Sequence, residues 1–450
     1  MASPPPPDSH TDDDHSSASA PPTSSALLSS PQPRSEASPS SWVILGSIPR
    51  VSADLPEGAD LDLALTAPPR VSRLTVSTRV FPKTPTEHHF PFLLAADPSG
   101  LLLLSAILPS APRRVVVDRG PDDYSFHWSF TDPRYFVLDA ASGTALRLPD
   151  PADEPVMHQA LLGILASPAG GGHYMVAELR PIIGSDHATL LCFSSDLGEW
   201  VEKDVRYTLP PRPLAPICVL SHHGRLWWVD LSWGIITADP FADNPVLGFV
   251  PFPEGRVLQC REGWGVTDKF RYVGLSDGKL RFVDTIMRRR LGGIPKVTVW
   301  TLDDPDSTEW TLEHEARFAD IWAHPSYKAT GLPKKRPVLA LIHPTNPAVV
   351  YFFLGDHLFG VDVPACKVVD CERYQLVAPP TELIANRFIR AWDMPRAVSS
   401  GLANWMNGMS LSETATVPAS SSRPSAEGGT NVWPPGAYHL VGNTRQTFIG

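Results

Sequence analysis

Charged side chains are scarce in this chain: Asp, Glu, Lys and Arg make up 19% of its 450 residues, against about 25% in an ordinary soluble protein. The basic set is the smaller, 38 Lys and Arg against 48 Asp and Glu, for a net charge of -10. A broad basic face able to neutralise nucleic-acid phosphates is therefore not expected. Cysteine is scarcer still. Cys192, Cys218, Cys260, Cys366 and Cys371 are an odd, scattered set that fits a reducing compartment. No apolar stretch reaches the ~18 residues of a membrane helix, and even Leu101–Leu108 is cut off by Pro109. At the amino terminus, Pro4–Pro7 and Asp12–Asp14 stand where a signal peptide would carry basic and apolar regions. These absences predict a soluble, monomeric protein of the cytoplasm or nucleus, with no membrane and no nucleic-acid partner.

Proline is abundant: 49 residues, about double the usual ~5%. Each interior proline removes a helical donor and costs about 3 kcal/mol, so bundles and solenoids are excluded. The 13 Trp, 18 Phe and 42% hydrophobic content are enough to build a core, which excludes wholesale disorder. Residues 1–40 hold 12 Ser and 9 Pro with almost no aromatic side chain and read as a disordered tail. Its Ser3-Pro4, Ser30-Pro31 and Ser38-Pro39 pairs are no more than this composition produces. Residues 398–450 degrade into Ser, Thr, Ala and Gly and read as a second tail of low complexity. Residues 41–397 form the core, and 36 of the prolines lie there, so proline punctuates short strands instead of marking disordered ends.

The core is a succession of short apolar runs separated by turn signals, an antiparallel hairpin pattern. Phe92–Ala96 leads through Asp97-Pro98-Ser99-Gly100 into Leu101–Leu104, and Tyr135–Leu138 through Asp139–Gly143 into Thr144–Leu148. Two weak repeats recur. Ser221–Asp230 and Leu275–Asp284 share Gly, Leu, an aromatic-Val pair and a closing Asp, and Leu358–Asp362 echoes the ending. Leu190–Phe193 and Val297–Trp300 each lead through a polar turn into a Glu-Trp pair, Glu199-Trp200 and Glu309-Trp310. Alternating hairpins near 50 residues apart predict an all-β, propeller-like array of four-stranded blades in preference to stacked sandwiches. One short helix is expected at 381–392, where Leu383, Ile384, Phe388 and Trp392 fall near one face.

No catalytic, cofactor or metal residues emerge. Gly274-Leu275-Ser276-Asp277-Gly278 matches the nucleophile-elbow pattern, but it leads into the alternating Lys279–Val283 and reads as a hairpin turn. His88-His89 and His222-His223 are neighbours that a strand would point to opposite faces, a poor arrangement for one metal. Glu313-His314-Glu315 reads as a solvated edge, and Cys366 and Cys371 lack the second ligand pair of a zinc site. Gly170-Gly171-Gly172 lacks the following Lys-Ser or Lys-Thr of a phosphate-binding loop and reads as loop. Arg288-Arg289-Arg290 and Lys334-Lys335-Arg336 read as solvated turns in preference to import signals. Trp227, Trp228 and Trp233 read as packing between blades in preference to an interface hot spot, with at most one of Trp227 and Trp228 in the blade core and the other facing a neighbour or solvent.

Trp42-Val43-Ile44-Leu45, the Asp97–Gly100 turn, Tyr135–Asp139, Trp227–Leu231 and Val299–Leu302 with Trp310 resemble the plant domain-of-unknown-function family sixteen-eighteen, which is expanded in grasses. The likeness runs through residues 40–395, and the hairpins are also similar to the kelch-like propeller domains behind plant F-boxes. The resemblance implies a propeller-like fold and no established activity. Residues 1–40 show no F-box pattern. The expected function is a non-enzymatic protein-interaction module with an unidentified protein partner. The alternatives are an enzyme or small-molecule binder using a central channel, and a ubiquitin-ligase adaptor without its own F-box.

Overall fold

The computed structural model describes residues 42–86, 89–109, 131–152, 155–182, 185–209, 214–258, 267–286, 294–374, 385–395 and 398. The 1–40 tail and, but for residue 398, the 398–450 tail lie outside these, as do Cys260 and Arg288–Arg290. The chain begins with β1 (Trp42–Gly46), β2 (Arg50–Ser52), β3 (Leu61–Ala64) and β4 (Val71–Ser77). Five four-stranded antiparallel sheets follow, each a meander in chain order. They are β5–β8 (Pro91–Ala96, Leu101–Pro109, Thr131–Asp139, Thr144–Arg147) and β9–β12 (Leu162–Ala166, Tyr174–Pro181, His187–Ser194, Glu199–Arg206). Next come β13–β16 (Cys218–His222, Arg225–Asp230, Gly234–Ala238, Gly248–Pro251) and β17–β20 (Arg271–Ser276, Lys279–Asp284, Lys296–Leu302, Trp310–Arg317). The fifth is β21–β24 (Val338–Ile342, Val349–Leu354, His357–Asp362, Lys367–Arg373).

The last strand, β25 (Ile389–Asp393), returns to the start of the chain. It pairs antiparallel with β1, placing Trp42 opposite Asp393 and Gly46 opposite Ile389. β1 and β2 each run parallel to β4, and β3 joins β4 antiparallel, which completes a closing sheet built from both ends of the core.

Among the described residues, six larger apolar clusters alternate with these six sheets, and a small seventh gathers Ile48, Ala385 and Phe388. Leu102 and Leu104 meet Val43, Leu45 and Trp392 of the closing sheet, whereas Leu103, one residue along, meets Ile164 and Val176 of the next blade. Trp228 packs toward Leu165 and Leu190, and Trp227 toward Phe252 and Phe282. Phe352 joins Val283 and Val299, while Tyr351 joins Trp42 and Ile44 and so closes the ring. Successive side chains on a strand leave opposite faces, and here both faces are covered by a neighbouring blade. This is why the second strands read as continuous apolar runs instead of a half-polar alternation. The outermost strands, with only one side covered, carry the polar alternation, as in Glu199–Arg206.

The recurring aspartates hold the turns. Asp230 Oδ1 accepts from Ser232 N at 2.9 Å, Asp284 Oδ1 from Ile286 N at 2.7 Å, and Asp139 Oδ1 from Ala141 N at 2.9 Å. The Glu-Trp repeat also has a physical basis: Trp200 Nε1 donates to Pro149 O at 2.7 Å and Trp310 Nε1 to Pro251 O at 2.9 Å. In both, the indole that opens an outer strand is tied to the end of the preceding blade.

The helix expected at 381–392 is corrected. Residues 381–384 are outside the described set, Asn386–Phe388 is a single 3-10 turn, and Ile389–Asp393 is β25. Local apolar spacing gave no hint of a strand partner some 340 residues earlier in the chain. The short helices lie elsewhere, at α1 (Thr267–Phe270), α2 (Phe318–Ala323) and α3 (Pro325–Thr330). At α3, Pro325 occupies the first turn, the His324 ring accepts from Ser326 N, and Gly331 ends the helix at φ 73°.

Trp228 is fully buried, and its indole donates to Leu161 O of the neighbouring blade at 2.7 Å. Trp228→Ala is expected to lose about 3–5 kcal/mol of unfolding free energy, with Trp228→Phe losing clearly less. Urea denaturation of the two variants checks this.

Candidate functional site

The fold uses most of the singled-out residues for structure. Ser276 lies in the tight β17–β18 hairpin, whose turn residues Asp277 and Gly278 have φ of 50° and 67°. Its hydroxyl donates to His343 O at 2.6 Å, so it is held as a turn serine and not presented as a nucleophile. Gly274 has its own reason. A Cβ there would stand 2.5 Å from the Tyr272 ring, which lies along the same face of β17. Gly170, Gly171 and Gly172 all have positive φ in the β9–β10 connection, consistent with a loop.

The histidine pair departs from expectation. His223 sits in the β13–β14 turn at φ 48°, and this brings its ring to 4.2 Å from that of His222 instead of onto the opposite face. Among the described residues, no group of three or more His, Cys, Asp or Glu is placed to hold a metal. His88 is outside the described residues. On the outer strand β20, Glu313 pairs with Arg281 at 3.1 Å and Glu315 with Lys296 at 2.5 Å, an ion-paired edge. Arg336, expected in a solvated turn, is tied down instead: its guanidinium lies 3.8 Å from the Phe270 ring centroid and bonds Thr285 O. The four described cysteines are free. Burial pushes the thiols of Cys366 and Cys371 up and that of Cys192 to about 12, so they are protonated and weakly nucleophilic at neutral pH.

Packing leaves open a groove of about 490 Å³ between α3 and the outermost strand β24 of the fifth blade. Ser326, Ala329 and Thr330 form one wall and Val368–Arg373 the other, with His357 at one end. Ser326 Oγ accepts from Val368 N at 2.9 Å, so α3 holds one amide of this edge. Asp370 turns inward over Gly360, accepting from Gly360 N at 3.0 Å and from the Tyr351 hydroxyl at 3.2 Å, and burial pushes its carboxyl up. A Cβ at Gly360 would meet Asp370 Oδ1 at 2.6 Å, which is why the glycine is needed. Val369 remains 44% exposed on the rim, and Asp356 holds His357 at 2.7 Å and Arg373 at 3.7 Å. Sequence reading did not single out this groove, because Ser326 and Val368, which face each other across it, lie 42 positions apart.

Residues 228–351 match the family model described as "Protein of unknown function (DUF1618)", the family whose strand patterns the sequence resembles. No curated protein sequence matches the chain. Among solved structures, the chain is similar to apo AztD from Citrobacter koseri, with 12% identity, 74% of this chain and 82% of that chain covered, and a TM-score of 0.33. It is also similar to the Cps50 (Swd1) β-propeller domain of Myceliophteria thermophila, with 10% identity, coverage of 68% and 98%, and a TM-score of 0.30. For the WD40 domain of SCAP from fission yeast the values are 13%, 55% and 48%, and 0.28. The propeller architecture itself rests on the sheet topology.

Burial displaces one side-chain titration far enough to read in solution. His222 is pushed down to about 4, first by burial and then by the neighbouring His223, while an unfolded chain protonates near 6.5. As pH falls between these values the unfolded state gains a proton that the folded state does not, so stability falls with pH. His158 and His343 are displaced the same way by burial. Urea midpoints measured from pH 7 to pH 4 are expected to decline, and His222→Gln to flatten the decline. An unchanged slope in that variant would assign His222 an ordinary solvated titration.

Proposed function

We propose that this chain is a non-enzymatic protein-interaction module of the cytoplasm or nucleus, and that it receives an extended segment of a partner protein in the groove along β24. The observation that carries this reading is an outermost strand whose free edge faces an open, walled groove. An edge strand exposes unpaired backbone donors and acceptors, and proteins either blunt such edges or use them for strand addition. α3 engages Val368 N and then stands off, leaving the stretch beyond it accessible beside Val369. The rim offers apolar Val369 and Ala329 with Glu372 and Arg373 close by, a mixture suited to a peptide with alternating side chains.

The non-enzymatic part of the reading is supported by what has become of the potential catalytic groups. The elbow-like serine is bonded to a main-chain carbonyl, and the described thiols are raised by burial. Glu178, a carboxylate pushed up by burial, is sealed from solvent, with its carboxylate accepting from Arg180 Nε at 2.7 Å and His158 N at 2.9 Å. Among the described residues, no helix is long and apolar enough to cross a membrane.

A displayed peptide library selected on the full chain tests the reading. Selected peptides are expected to bind wild type and a Leu197→Arg control, which changes a 65% exposed hairpin residue of another blade. They are expected to lose at least about tenfold in affinity, roughly 1.4 kcal/mol, on Ala329→Arg, which fills the groove from the α3 side. Equal binding to Ala329→Arg, or a selection that yields no binder, would overturn it.

A further inference from the structure

The fifth blade leaves one side of the β24 backbone unpaired, and the register with β23 fixes which residues present it. Tyr374 N, just past the strand, donates to Asp356 O at 2.7 Å, so the backbone there points toward β23. Along an antiparallel pair, residues alternate between bonding the partner strand and pointing away from it. Glu372, opposite Leu358, therefore bonds β23, while Arg373 and Cys371, opposite His357 and Phe359, direct their N–H and C=O groups outward. Gly360 keeps the same phase, since its N–H points at Asp370. Val369 is an extra residue in the register, and beyond it the outward amide is Val368 N, which donates to Ser326 Oγ at 2.9 Å. Ser326 thus takes the first outward amide. No hydrogen bond among the described residues engages the backbone of Cys371 or Arg373, and both residues line the groove.

Their side chains share a face, because residues two apart on a strand do so. Cys371 packs on the apolar cluster that holds its cross-strand neighbour Phe359 and Tyr327 of α3. Arg373 is 80% exposed. Asp370 and Glu372 alternate onto the other face, where Asp370 accepts from the Tyr351 hydroxyl. The Arg373 guanidinium reaches one carboxylate among the described residues, Asp356, at 3.7 Å through Nε, and Asp356 is itself held by His357 at 2.7 Å. The two terminal nitrogens of the fork, which match a carboxylate in planar geometry, make no bond among the described residues. A strand added to β24 places one side chain directly opposite Arg373, with Cβ atoms about 5 Å apart, and another directly opposite Cys371. Opposite charges across such a pair stabilise it and like charges weaken it.

We propose that the segment received along β24 is acidic at one position and apolar two residues away. Its Asp or Glu side chain meets the Arg373 guanidinium, and its apolar side chain covers Cys371 in the groove that Ala329 walls. This rests on the strand-addition reading of the groove and adds the charge that the partner must carry.

Peptides selected from a displayed library on the full chain are first sorted by whether Ala329→Arg weakens them, which identifies those seated in the groove. Most of these are expected to carry an Asp or Glu two residues from an apolar side chain, in either order. Replacing that carboxylate by its amide is expected to weaken binding to wild type at least about threefold at low salt. The same replacement is expected to leave binding to Arg373→Gln unchanged, both being read by isothermal titration calorimetry. Selection repeated on Arg373→Glu is expected to put Lys or Arg at the formerly acidic position. Groove-seated peptides without the acidic position, or an amide replacement that weakens binding to wild type and Arg373→Gln alike, would overturn the charge requirement and leave strand addition standing. A library without a groove-seated binder overturns both.

Discussion

Every sheet in this molecule is apolar on both faces, and no sheet can therefore be the last in a row. A stack with two ends would leave one apolar face on each end sheet open to water, at about 25 cal/mol for every Å² exposed. Closing the row into a ring removes both ends. The pairing of β1 with β25 performs that closure, and Trp42 then completes the final interface, with its ring 4.5 Å from His343 and 6.0 Å from Tyr351 in edge-on geometry. Blade order and the outward-facing edges follow from it.

The polar groups follow the same constraint. Strands that lie between two blades have no solvent-facing side on which to place a charge, so buried charges are anchored individually. Arg271 is fully buried and donates to Leu231 O and Arg256 O at 2.8 and 2.6 Å, reaches Asp284 at 3.3 Å and lies near the Phe282 ring. Arg180 and Glu178 secure the loop before β9 in a similar way. Groups used in this manner are unavailable for chemistry. The β24 groove remains open at the outer edge of a blade that has gained two short helices.

Much of the fold was legible in the residues. The turn-strand-Asp repeat corresponds to local turn bonds of its aspartate, and the Glu-Trp repeat to an indole bond that two blades make in the same way to the blade before. Trp227 and Trp228 could be read as leaving opposite faces of a strand, but only the structure shows that both are fully buried, each in a different interface. Other features were opaque for equally physical reasons. Ile389–Asp393 carries helix-like spacing, yet its conformation is fixed by the ladder to β1, since ladder hydrogen bonds and two-sided burial outweigh weak local preference. His222 and His223 meet because the strand ends at His222 and His223 itself takes a left-handed turn conformation. Arg336 is held by Phe270, a ring more than 60 positions away in the chain.

The sequence by itself determined the class of structure. Proline frequency, paired apolar runs and turn residues recurring at the same offset permit short antiparallel strands and little else, because each of these acts over a few neighbouring residues. Only the tertiary structure decided how many sheets share the ring, which termini seal it, and which side chains border the β24 groove. These depend on contacts between residues tens to hundreds of positions apart. No local pattern encodes them, because they exist only once burial of the last open faces has forced the two ends of the core together.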